Sequence, residues 1–362
     1  MTQLYTDRRE ASWLLILMIC AKVFFTDIMI FIHTSGTAAY LQAIWCIVIE
    51  WVLFFVIYRL FKLCKGNDIF ECTKLSFGKS GLIIFGLLLF TLQILNLGTI
   101  LKMYSETLSS LTLTSAPIWF LTGFIVLCMV FSAYSNPRGL MGVCTAFGIF
   151  ILILFFMILF LDMSHYDVTN IFPVLGNGWE DIFMGIKGVS LFNDIFFIYY
   201  LSEGFKDKAS VKKVGIATLS VTSFITLIST LCYTFAVPYP LSKKFYMPIF
   251  QISSDITADV VIQRAEALFL VMWILSIFIY MSAHFYFLTV TYQKSFSSSD
   301  RKGIVPISIL IIILISSIYQ NINQASPVLS VIKDITTISF VIIPLMSFGV
   351  GAIKKKREDI RD

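Results

Sequence analysis

Charge is scarce in this sequence. Asp, Glu, Lys and Arg together make 14% of its 362 residues, where a soluble domain carries about a quarter. Histidine is scarcer, at three residues, and the seven cysteines contain no Cys-x-x-Cys pair. Three scattered histidines give no metal-ligand spacing, and an odd number of cysteines inside apolar runs reads as small buried hydrophobes rather than a disulfide framework. No metal and no cofactor is expected. No nucleophile–base constellation stands out, so an enzyme is not expected. Polar stretches long enough for an attached soluble domain are also missing.

What remains is apolar. Hydrophobic residues make 58% of the chain, 35 of them Phe, and the mean hydropathy is +0.87. A water-soluble fold of this length has no means of hiding so much apolar surface, so lipid is the expected solvent. Runs of about 20 apolar residues predict spans near 12–33, 37–60, 80–103, 116–134, 139–161, 182–202, 212–236, 264–292, 304–320 and 328–352. Runs of this length exclude a β-barrel. The first run is longer than a signal-peptide core and reads as a span.

Lys and Arg set the orientation. With the N-terminus inside, the cytoplasmic segments hold 20 of the 27 Lys and Arg residues, a strong positive-inside bias. Lys102, Lys243, Lys244, Arg264 and Lys333 read as external, and Lys22 and Lys187 fall within spans. The alternation does not break along the chain, which supports ten spans with both termini inside. The net charge of +5 then reflects topology and attraction to anionic membrane lipid. No nucleic-acid partner is implied. The longest loops are expected at 61–79 inside, and at 162–181 and 237–263 outside. Pro238, Pro240 and Pro248 with Ile249, Phe250, Ile252 and Ile256 suggest a short amphipathic helix in 237–263, lying over the external face as a lid or docking segment.

Three ionisable residues fall near mid-span: Lys22, Glu50 and Asp194. Lys22 lies about ten residues, or roughly 15 Å, from either end of its span, beyond the reach of snorkelling. It needs a partner, either Glu50 or Asp194, or a place in a ligand or proton site. Lys187, nearer the outer interface, is expected to snorkel. The sixth span carries Gly185, Gly188, Ser190, Asn193 and Asp194, which suggests unwound backbone lining a cavity. The first span carries Lys22, Thr26 and Asp27 without Gly or Pro, a weaker break signal. Ten spans divide into two fives, about 12–161 and 182–352. Five is odd, so the halves enter from opposite sides, the inverted-repeat plan of many secondary transporters.

Three stretches carry a family resemblance. Pro248-Ile249-Phe250-Gln251 is followed by Gln263-Arg264-Ala265-Glu266-Ala267-Leu268-Phe269 and Trp273. Asn170-Ile171-Phe172-Pro173-Val174-Leu175 is followed by Gly178. Phe77-Gly78-Lys79 precedes the third span. The chain resembles the spore germination permease family, the GerAB-like B subunits of nutrient germinant receptors, over nearly its whole length. That family is distantly similar to the amino acid–polyamine–organocation transporters. The resemblance implies an all-α polytopic membrane protein with a LeuT-like five-plus-five inverted repeat and discontinuous spans one and six. It implies A and C partner subunits, a small germinant that is commonly an amino acid, and the spore inner membrane. It implies a binding site lined by Lys22, Val23, Phe24 and Thr26 of span one, and by Gly188, Ser190, Phe192, Asn193 and Asp194 of span six. Asn96, Trp273, Ser276 and Tyr280 complete that set. Where the wider superfamily has a small, Gly-rich break in span one, this chain has Ala21-Lys22-Val23-Phe24-Phe25. Lys22 then either meets a ligand carboxylate or occupies the site itself. A proton-coupled secondary amino acid transporter is the alternative function, and a structural membrane subunit without a ligand is a third.

Overall fold

The computed structural model describes residues 6–111, 117–135, 137–255, 265–298, 300 and 302–358. Among them the regular structure is entirely helical. The principal α-helices are α1 (Arg8–Phe25), α2 (Met29–Ser35), α3 (Ala39–Leu63), α4 (Ile69–Leu111), α5 (Ile118–Tyr134), α6 (Pro137–Leu161) and α7 (Trp179–Met184). They continue with α8 (Ile198–Leu201), α9 (Lys208–Ala236), α10 (Pro248–Asp255), α11 (Ala265–Ser295), α12 (Val305–Ile318) and α13 (Ile322–Glu358).

The surface of the bundle is inverted relative to that of a soluble protein, while its core is apolar like one. Its periphery exposes large apolar side chains such as Phe131 (75%) and Trp119 (74%), while Lys22, Glu50 and Asp194 are buried. That inversion is what lipid as solvent requires. Among the described residues, seven helical stretches are long and apolar enough to cross a membrane: Met29–Leu63, Ile69–Leu111, Arg138–His165, Trp179–Gly204, Lys208–Ala236, Ala265–Ser295 and Ile322–Lys356. The other three predicted spans are helical too. Ile118–Tyr134 and Lys302–Ile318 are apolar but shorter. The third, α1, carries Arg8, Arg9, Glu10 and Lys22. The protein is an integral membrane protein.

Every residue of α1 from Leu14 to Phe25 is buried. The helix packs against α6, α9, α11 and the middle of the Trp179–Gly204 stretch, so it is the axis of the bundle. The predicted inner loop at 61–79 is shorter than expected, because α4 begins at Ile69. The Asp68 side chain accepts from the Glu71 N–H at 2.7 Å, and Glu71 accepts from the Asn67 N–H at 2.7 Å. This cap starts a helix that apolar length alone does not foresee. Gly78, with φ 73°, marks the kink where the apolar part of α4 begins.

The Asn170–Gly178 motif seats its loop on the α2–α3 turn. Thr37 donates to the Pro173 carbonyl at 2.6 Å, and Asn177 donates to the Thr34 carbonyl at 3.0 Å. A Cβ at Gly176 would stand 2.0 Å from the Ser35 carbonyl oxygen, so the close approach demands glycine. A helix does form in the 237–263 segment: α10 buries Ile249 and Ile252 against neighbours that include α1, α9 and α11.

Candidate functional site

Two helix breaks meet at the centre of the bundle. α1 ends at Phe25 and the chain turns through 26–28 before α2 starts at Met29. The polar Thr26 and Asp27 supply the break without Gly or Pro. The second break follows α7 at Gly185, beyond which Ile186–Phe197 winds as a 3₁₀ helix of 12 residues. Such runs rarely exceed three or four residues, and within a longer helix they mark hinges or strain. The turn is held from outside: Gln42 of α3 donates to the Gly185 carbonyl at 2.8 Å. A Cβ at Gly188 would lie 2.2 Å from the Phe31 ring, so this glycine lets the 3₁₀ segment approach α2.

The tighter winding turns Asp194 towards α1. Its carboxylate stands 3.0 Å from Lys22 Nζ and 3.3 Å from His284 Nε2 of α11. Lys22 also donates to the Ser190 carbonyl at 3.2 Å. The three side chains are no more than 5% exposed. Asp194, rather than Glu50, is therefore the partner of Lys22. Burying this charge pair costs several kcal/mol per ion before its mutual attraction is counted. Glu50 is fully buried, and neither of its carboxyl oxygens has a hydrogen-bond partner among the described residues.

The trio lines a cavity of 30 Å³ with Gln93, Asn96 and Tyr280 among its other walls. That volume holds about one water. The Tyr280 ring lies 4.2 Å from the His284 ring, centroid to centroid. Three buried polar atoms of this lining have no hydrogen-bond partner among the described residues: Gln93 Nε2, Asn193 Oδ1 and Thr336 Oγ1. Asp194 and His284 are instead held by the ion pairs of the cluster. Unsatisfied buried polar groups each cost about 1–3 kcal/mol, so their concentration around one small space marks a place for a polar occupant.

A larger vestibule of 440 Å³ adjoins this cavity on the face that the charge bias assigns to the outside. Thr26, Asp27, His33, Lys187 and Lys243 are among its lining, and Ser190 and Lys333 line both spaces. Lys333 Nζ contacts Asp27 at 2.6 Å, and Asp27 is 2% exposed. Lys333, read from sequence as an external charge, instead sits inside α13. That helix starts at Ile322, ahead of the predicted span, and the amine finds a carboxylate rather than water. Lys187 is 70% exposed and lies 3.6 Å from Asp334 at the vestibule edge. On the opposite face a cavity of 500 Å³ includes Glu203 and Lys294. Lys294 bridges Asp68 and Glu203 there. Burial pushes the Asp68 carboxyl above its usual range, against the opposing pull of Lys294.

The expected site residues divide accordingly. Lys22, Asn96, Ser190, Asn193, Asp194 and Tyr280 line the inner cavity, and Thr26 lines the vestibule. Val23, Phe24, Gly188, Phe192, Trp273 and Ser276 do not line either space. Phe24 packs on Phe155 at 5.1 Å, Trp273 stacks on Phe25 at 5.7 Å, and Ser276 donates back to the Met272 carbonyl at 2.8 Å. These are packing positions on the same helices. His284, Lys333 and Gln93 were not foreseen. The signal for His284 was its place one turn beyond Tyr280, on the same helix face. Gln263 and Arg264 of the family motif lie outside the described residues.

The family model described as spore germination protein matches residues 8–325. The chain belongs to this family. Spore germination protein YndE of Bacillus subtilis (strain 168) is 24% identical over 270 residues, covering 71% of each chain. Spore germination protein KB of the same organism is 21% identical, covering 72% of each. Spore germination protein A2 is 22% identical over 296 residues, covering 80% of this chain and 79% of its own. Two solved transporters share the fold. Mhp1, a nucleobase-cation-symport-1 family transporter in a closed conformation with bromovinylhydantoin bound, matches with TM-score 0.58 and 12% identity, over 90% of this chain and 74% of its own. A Na+-coupled sialic acid symporter in a substrate-bound outward-open state matches with TM-score 0.59 and 11% identity, over 91% and 78%. The chain is thus a germination-related membrane protein on a transporter fold. Family and fold alike point to germination and transporter-like proteins rather than enzymes.

Proposed function

We propose that this chain is the B subunit of a nutrient germinant receptor in the spore inner membrane. Its ten spans form two inverted sets of five, about 12–161 and 182–352. A small germinant, an amino acid by the family resemblance, passes the vestibule and binds beside Lys22 and Asp194. The observation that carries this reading is the group of unpartnered polar atoms around the Lys22–Asp194–His284 cluster, at the meeting of two helix breaks. The inner cavity holds 30 Å³, far below the roughly 300 Å³ of an ordinary ligand site. Binding therefore requires an opening, in which Asp27 separates from Lys333 and the ligand's charged ends replace contacts within the cluster. A ligand that prefers the opened state shifts the population towards it, and the segment 237–263, as lid or docking surface, conveys the shift to the A and C subunits.

The test is germination of spores carrying Asp194→Asn or Lys22→Met. Each variant is expected to accumulate in the membrane and to lose the nutrient response. A full response in both would overturn the assignment. A second reading, a proton-coupled secondary amino acid transporter, draws on the fold shared with two symporters and on the buried carboxyls of Glu50 and Asp194. Concentrative uptake by the purified chain in proteoliposomes would favour it over a receptor that only senses.

A further inference from the structure

A spacious groove lies away from the charged cluster, on the bundle's periphery. It encloses 940 Å³ between α5, α6 and α11. Phe124, Leu127, Phe131, Tyr134, Val143 and Phe278 form its walls. Its floor is made of small residues, Cys128, Ser132, Gly139 and Ser282, which allow close approach of an occupant. The floor hydroxyls are committed to backbone carbonyls. The single Ser132 hydroxyl proton is shared between the Met129 carbonyl at 2.7 Å and the Ser282 carbonyl at 2.9 Å, and Ser282 donates to the Cys128 carbonyl at 3.3 Å. The groove therefore offers its occupant an apolar surface.

Length and charge select the occupant. Along α5 the groove runs from Phe124 to Ser135, about 16 Å at 1.5 Å per residue. That is half of a hydrocarbon core of about 30 Å. On α11 it ends at residues 278–282, near the middle of that helix. A partner's transmembrane helix needs a groove twice this long, whereas the acyl chain of one leaflet needs this length. The open end lies on the Lys- and Arg-rich side that the charge bias assigns to the cytoplasm. Lys302 Nζ lies 5.7 Å from the centroid of the Tyr134 ring there. Arg138 occupies the first turn of α6, next to Gly139.

We propose that this groove is a binding site for an anionic phospholipid of the cytoplasmic leaflet. The acyl chain lies along α5, and the phosphate sits at the mouth near Lys302. The site is independent of the germinant-binding reading.

The test uses the full chain purified in detergent and titrated with phosphatidylglycerol or phosphatidylcholine, with bound lipid counted by native mass spectrometry. One tightly held phosphatidylglycerol is expected, preferred over phosphatidylcholine. Lys302→Gln should weaken phosphatidylglycerol binding about fivefold and leave phosphatidylcholine unchanged. A Cβ at Gly139 meets no heavy atom within 4 Å, so the position admits a side chain, and Gly139→Phe, which adds bulk to the groove floor, should lower retention at least about tenfold. Lys302 is exposed, so its variant remains informative if Gly139→Phe does not fold. Equal binding of the two lipids, or undiminished retention in Gly139→Phe, would overturn the proposal. So would a co-purifying transmembrane polypeptide that phosphatidylglycerol fails to displace.

Discussion

Consider removing the buried charges one at a time and then together. In Asp194→Asn, Lys22 is left 5% exposed without its counter-ion, keeping only the Ser190 carbonyl at 3.2 Å. In Lys22→Met, Asp194 keeps His284 at 3.3 Å and loses its cation. Breaking a buried pair by removing one partner costs about 3–5 kcal/mol. The double variant Lys22→Met/Asp194→Asn removes both charges of the pair at once and nearly preserves volume, so it should lie within roughly 1 kcal/mol of the wild type. The coupling energy of the cycle should then be about 5 kcal/mol or more in magnitude. Thermal inactivation of the detergent-solubilised protein, followed by size-exclusion fluorescence at one fixed heating rate, reads the ranking even where unfolding is irreversible. A double variant no more stable than the singles would refute the pairing. The double variant also separates two roles that single variants confound. If the pair is only structural, the restored fold restores the germination response. If the pair is the ligand site, the double variant is stable and silent.

Two further outcomes follow. The Asp27–Lys333 contact lies where the two spaces meet, since Lys333 lines both, and breaking a pair this buried costs at least the roughly 1 kcal/mol of an exposed pair. Asp27→Asn should therefore raise the labelling rate of an introduced Ser190→Cys by a membrane-impermeant thiol reagent about fivefold, and an unchanged rate would mean that this contact does not gate access. At the start of α9, Asp207 accepts hydrogen bonds from the Ser210 hydroxyl and N–H, which hold its carboxyl below the usual range, with help from Arg8 and Lys213. Its share of stability is full above the unfolded value near 3.9 and is lost as pH falls through the lower folded value. Stability measured across about pH 5 to 2 should fall less steeply in Asp207→Asn, and an identical slope would contradict the cap.

Much of the helical plan was legible because lipid imposes a single strong rule on apolar length and charge. The breaks were legible in unequal degree. Gly185, Gly188, Asn193 and Asp194 announced the sixth span's unwinding, whereas the turn after Phe25 rests on Thr26 and Asp27 alone. Lys22 and Asp194 stood out because a charge at mid-span is costly wherever it sits. Which of Glu50 and Asp194 meets Lys22 was not legible, nor was the arrival of His284, since contacts between residues 22, 194 and 284 depend on how α1, the 3₁₀ segment and α11 pack. The same holds for Asp27 and Lys333, whose partners lie at opposite ends of the chain. Trp273 and Ser276 belong to the helix that carries Tyr280 and His284, but they face packing partners. Naming a helix as part of a site does not say which of its faces lines the cavity.

The central claim is that the Lys22–Asp194 cluster holds the germinant. Its most direct test is equilibrium binding of a panel of radiolabelled amino acids to the purified full chain, beside the stable double variant Lys22→Met/Asp194→Asn. Saturable binding of at least one amino acid to the wild type is expected, and its loss in the double variant. Undiminished binding in the double variant, or no saturable binding of any amino acid to the wild type, would contradict it.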